Sequence, residues 1–151
     1  MNLLPGKTYY TFILTVVVIL IYSFSSCKKD NSDDIIPYVP VNTTIYLSLP
    51  EYAPLNSIGN SVFIDGGYRG IVVYRRALTE FVAYDRACPF DPTASGAKLV
   101  LDSGLIITVD LNCGSKFSLF DGSILHGPST RPMKPYNTNY DPGSNSVTIY
   151  N

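Results

Sequence analysis

The chain has 151 residues, with 11 Lys and Arg against 12 Asp and Glu, and a formal net charge of −1. Its basic residues are scattered along the sequence, and that arrangement excludes the electrostatic stripe by which nucleic acid is ordinarily bound. One histidine, three cysteines and the absence of any Gly-x-Ser-x-Gly or comparable nucleophile motif leave little from which to build an active centre, so an enzyme is not expected.

At the N-terminus, Lys7 precedes an apolar run over residues 8–22, shorter than the ~20 apolar residues that a spanning helix needs. Phe24-Ser25-Ser26-Cys27 follows, with the small residues that suit lipoprotein signal peptidase. Residues 1–26 therefore read as a bacterial lipoprotein signal peptide, and Cys27 as the residue that is exposed by cleavage and acylated, for example with palmitate. The competing reading is an N-terminal anchor helix with an incidental cysteine. The following Lys-Lys-Asp-Asn-Ser-Asp-Asp segment cannot bury apolar area, and Pro37 and Pro40 interrupt any ladder, so residues 27–42 are expected to form a tether. The acidic residues soon after Cys27 resemble the surface-export signal of Bacteroidetes lipoproteins. That resemblance implies an outer-membrane lipoprotein of the cell envelope, membrane-bound through its lipid and displayed at the surface.

Residues 43–151 remain for one domain, and their short apolar runs rich in Val, Ile, Tyr and Phe, separated by turn residues, predict an all-β fold. In chain order the expected strands are 61–64, 70–75, 81–85, 105–109, 117–120, 123–125 and 146–150. Glycines at 66 and 67 supply the positive φ of a tight hairpin between the first two. Residues 131–136, with two prolines, are expected to be a covering loop or irregular edge strand.

Two stretches between these strands carry a family resemblance. They are Cys88-Pro89-Phe90 and the run from Cys113 through Gly114, Ser115, Lys116 and Phe117 to Gly127-Pro128. Over residues 60–140 the chain resembles Rieske iron–sulfur domains, which implies an antiparallel β-sandwich with two cluster-type loops and a Gly-Pro covering loop. The family's second loop reads Cys-Pro-x-His-Gly-Ser-x-Phe. Matching its Gly-Ser-x-Phe onto residues 114–117 puts Cys113 in the second histidine slot and Asp110 in the second cysteine slot, and this is the preferred alignment. The other keeps Cys113 as cysteine, matches Phe120 and Asp121 to an aromatic-acidic pair, and puts Lys116 in the histidine slot. Phe90 stands in the first histidine slot under both alignments, and a phenyl ring has no lone pair for a metal.

A Rieske 2Fe-2S centre takes two thiolates and two imidazoles, whereas His126 is the one histidine here. The resemblance thus implies a degenerate Rieske-like domain with no cofactor, its cluster loops serving as a structural cap or as a contact surface for an envelope protein or a glycan. The alternative is a redox protein, carrying either a 2Fe-2S cluster on unorthodox ligands or a thiol–disulfide pair. Because Cys27 is assigned to lipid, the paired loops imply a disulfide between Cys88 and Cys113 in an oxidising compartment. A metal, if one binds, would draw on Cys88, Cys113 and His126, with Asp110 as a further donor. Otherwise His126, Gly127 and Pro128 belong to the covering loop, with His126 bonded to backbone. Tyr68, Tyr74, Tyr84, Tyr136 and Tyr140 are candidates for an aromatic platform, although high β-propensity is the stronger explanation for tyrosines on two-faced sheets. Asp85, Asp91 and Asp121 are expected to cap turns.

Overall fold

The computed structural model describes residues 35–102 and 106–151, so the expected signal peptide, Cys27 and most of the tether, as well as Leu105 in an expected strand, lie outside the described residues. Among the described residues the fold is almost entirely antiparallel β, and no helix is long and apolar enough to cross a membrane. One sheet has six strands, β1 (Asn42–Tyr46), β2 (Ser61–Ile64), β3 (Ile71–Ala77), β4 (Glu80–Asp85), β9 (Pro135–Asp141) and β10 (Ser146–Tyr150), in the order β1-β10-β9-β4-β3-β2. The other has four short strands in sequential order, β5 (Val100–Leu101), β6 (Ile107–Val109), β7 (Lys116–Ser118) and β8 (Ile124–His126). A 3-10 helix, Pro50–Asn56, follows β1.

Strand β3 explains how the layers come together. Successive side chains of a strand point to opposite faces, and in β3 both faces are covered, so Ile71 through Arg75 are all buried. Ile71 and Val73 pack with Ile45, Leu55, Phe81, Val147 and Ile149 on one face of the large sheet. Val72 and Tyr74 face the other way and join Tyr84, Cys88, Leu99, Phe117, Leu119 and Met133, which form the core beneath the small sheet. The continuous apolar run Ile-Val-Val-Tyr is the sequence signature of this two-sided burial. Cys88 and Phe117 in this second core tie the two loops of interest to the framework.

Several expectations are corrected by the structure. The segment after residue 35 is held to the domain: Ile36 is 3% exposed, and the Asn151 side chain accepts from the Val41 amide and donates to the Val39 carbonyl. Residues 131–136 do not end as a loop. They lead into β9, which pairs with β10 from Asn137 to Asp141 and with β4 at Pro135 and Tyr136. Proline is tolerated there because it opens the strand, where its missing N–H interrupts no interior ladder. The tyrosines form no common platform: Tyr74, Tyr84 and Tyr136 are buried, with the first two in one core cluster and Tyr136 in the other.

Candidate functional site

Strand β4 ends in Asp85, whose fully buried carboxylate organises the start of the first loop. It accepts hydrogen bonds from the amides of Tyr68 (2.6 Å), Arg69 (3.2 Å) and Ala87 (2.8 Å) and from the Tyr136 hydroxyl (2.7 Å). Gly67, with φ +61°, is required beside it, because a Cβ there would stand 2.5 Å from both Asp85 Oδ2 and the Tyr136 hydroxyl. Asp85 is thus a turn cap, as expected, and also a buried junction between the 65–69 turn, the first loop and β9. The Arg69 guanidinium donates to the carbonyls of Pro92 and Ala94, which fixes the far side of the loop. Cys88 itself donates its amide to the Ala97 carbonyl and is 1% exposed.

The second loop joins β6 to β7. Its first residue, Asp110, donates its amide to the Ser115 carbonyl, accepts the Gly114 amide on its own carbonyl, and takes the Asn112 amide on Oδ1 at 2.7 Å. Gly114 adopts φ +81°, which allows the chain to reverse and present Cys113 inward. Ser115 joins this loop to the covering segment, because its hydroxyl accepts from the Ser129 amide at 3.0 Å and from the Cys113 thiol at 3.1 Å. Just before Ser129, the Gly127–Pro128 peptide bond is cis.

The two loops bring Cys88, Asp110 and Cys113 together. The two sulfurs are 3.6 Å apart as free thiols, and one donor atom from each of the three residues lies within 4.8 Å of the others. Asp110 is 1% exposed, and among the described residues no ion pair reaches it. Burial pushes the Cys88 thiol up; a backbone hydrogen bond at Phe90 opposes this, and contacts with Asp110 and Cys113 add to it. A thiol so placed is a poor nucleophile at neutral pH, because the thiolate is the reactive form. A cavity of about 320 Å³ opens beside the group, lined by Phe90, Asp110, Asn112, Cys113 and Pro128 among others.

The remaining site candidates lie elsewhere. Lys116 points to Asp102, with Nζ–Oδ2 2.9 Å, and pairs across the sheet with His126. His126 is an exposed residue of β8 rather than a loop residue, and it does not join the two cysteines. The third potential donor beside them is Asp110, because that residue opens the second loop whereas His126 sits on the strand beyond it. Phe90 is exposed at the cavity rim. The residues present do not fit a Rieske cluster: the loops offer two thiols and a carboxylate, and neither of the two imidazoles that its second iron requires. Asp85 as a hub and Ser115 as a joint were not legible as such, since both roles depend on partners distant in sequence.

Taken with the two-sheet topology, the paired loops and the Gly-Pro segment packed on them define a Rieske-like domain. The fold is shared with a solved Rieske structure. The plasma-membrane Rieske protein PetC3 of the cyanobacterium Synechocystis superposes with a TM-score of 0.52 at 17% identity, covering 76% of this chain and 100% of that one. The ferredoxin of carbazole 1,9a-dioxygenase from Nocardioides aromaticivorans gives 0.47 at 15% identity, covering 75% and 98%. No protein-family model and no curated protein sequence matches the chain.

Proposed function

We propose that this protein is a Rieske-like domain without its iron–sulfur cluster, held at the cell envelope by a lipid on Cys27. Its former cluster loops act as a structural cap and as a contact surface for another envelope protein or a glycan. The observation that carries this reading is the donor set at the paired loops, where Cys88 and Cys113 are accompanied by a carboxylate and the rim position is taken by Phe90. The loop tips support a binding role: Phe90, which lines the cavity, is 51% exposed and Leu111 is 79% exposed, so each loop presents an apolar side chain to solvent. The thiol–disulfide version of the redox reading is disfavoured by Cys88, whose buried, raised thiol is unsuited to rapid exchange.

The anchor is tested in cells. Cys27→Ser is expected to leave an uncleaved precursor that takes up no fatty-acid probe, while the unaltered protein is labelled and fractionates with membranes. Labelling that persists in the variant would remove the lipid anchor from the account. Protease added to intact cells is expected to strip the domain, and full protection would place it on the periplasmic side.

A further inference from the structure

We infer that Cys88, Asp110 and Cys113 form a binding site for a single zinc-type divalent cation, with its remaining coordination position open to the adjoining cavity. The sulfurs are the first reason. Two thiolates at about 2.3 Å from one tetrahedral zinc stand roughly 3.7 Å apart, and here the separation is 3.6 Å. A disulfide would need about 2.05 Å.

Asp110 is the second reason. A buried carboxylate ordinarily has a cation or a full set of hydrogen-bond donors. Asp110 is 1% exposed, its carboxylate is met by the Asn112 amide and by the Cys88 thiol, and among the described residues no Lys or Arg pairs with it. Two thiols that carry no positive charge lie beside it instead. A divalent cation resolves the arrangement, since it takes both sulfurs and the carboxylate as ligands while two thiol protons leave to solvent. Sulfur with one carboxylate oxygen suits a borderline-soft ion better than calcium or magnesium, which prefer all-oxygen shells. Three protein ligands and an open fourth position are the pattern of accessible zinc sites rather than closed structural ones, and the cavity of about 320 Å³ lined by Asp110 and Cys113 provides that access. The supports are already fixed: Ser115 holds Cys113 and the covering segment, and the Asn112 amide orients the carboxylate.

The test uses the mature protein, extracted from membranes in detergent without chelator. One zinc per chain is expected, and replacement by Co²⁺ should give the thiolate-to-cobalt and d–d absorption of a tetrahedral site. Cys113, the less buried of the two thiols, should resist alkylation until a chelator is added, a readout that requires no variant. Asp110→Asn keeps the acceptor for the Asn112 amide and should weaken Zn²⁺ binding at least roughly tenfold, since changes even one shell further out cost about 10–100-fold. Reduced, folded protein that takes up neither Zn²⁺ nor Co²⁺ at micromolar concentration would overturn the site, as would unchanged Zn²⁺ affinity in Asp110→Asn. A Cys88–Cys113 disulfide in protein taken directly from the envelope would overturn it too. Iron with acid-labile sulfide would overturn the cluster-free reading as well, whereas metal-free, sulfide-free protein would overturn the zinc site alone.

Discussion

Replacing Asp85 by alanine is expected to destabilise the domain by about 3 to 5 kcal/mol, as each buried donor left without an acceptor costs about 1 to 3 kcal/mol and the losses are partly shared. Four donors converge on this carboxylate, from Tyr68, Arg69, Ala87 and Tyr136. Alanine would leave all four without that acceptor in a site where the carboxylate is fully buried. Tyr136→Phe removes a single hydrogen bond from the same group, so it should cost about 1 kcal/mol and serves as the internal scale. Urea unfolding followed by circular dichroism gives both values. Equal losses for the two variants would mean that Asp85 does not organise the turn, the first loop and β9 together.

The second large effect is expected at Phe117, the aromatic of the Gly-Ser-x-Phe match. Phe117 is fully buried in the core beneath the small sheet, among Val72, Tyr84, Cys88, Leu99 and Met133. Phe117→Ala should cost about 3 to 5 kcal/mol, the range for large aromatic truncations in a closed core. Because β7 begins directly after the second loop, the resulting cavity should also loosen that loop and speed alkylation of Cys88 in the metal-free protein. A loss below 1 kcal/mol would show that the small sheet does not depend on this side chain.

How much of this could be read in advance varied with the range of the interactions involved. Strands β2 and β10 lie at 61–64 and 146–150 as expected, since both are short runs rich in β-branched and aromatic residues preceded by turn residues. Strand β9 was hidden. Its sequence Pro-Tyr-Asn-Thr-Asn-Tyr-Asp buries Tyr136 alone, so its place between β4 and β10 follows from backbone pairing rather than from apolar pattern. Strand β1 was hidden for a similar reason, as Ile45 is the one buried residue in Asn-Thr-Thr-Ile-Tyr.

At the site, the paired loops were legible because Gly114, Ser115 and Phe117 each serve a local geometric need: a positive φ, a hydroxyl between two backbones and a core plug. The donor grouping was less so. His126, the single histidine, is carried by β8 to an exposed position, while Asp110, expected in the second cysteine slot and as a further donor, is the residue that the first loop meets at Cys88. Spacing along the chain cannot reveal that contact, because it is made across two loops and one core.

The central claim is that these loops hold no Rieske cluster, and it is tested most directly by visible absorption together with iron and acid-labile sulfide analysis of the intact protein. The protein should be purified without air exposure from iron-replete cells. The account predicts a colourless protein with no stoichiometric iron or sulfide, since Phe90 and Cys113 stand in the two histidine slots of the preferred alignment and neither offers an imidazole. A brown protein containing two irons and two sulfides per chain would contradict it.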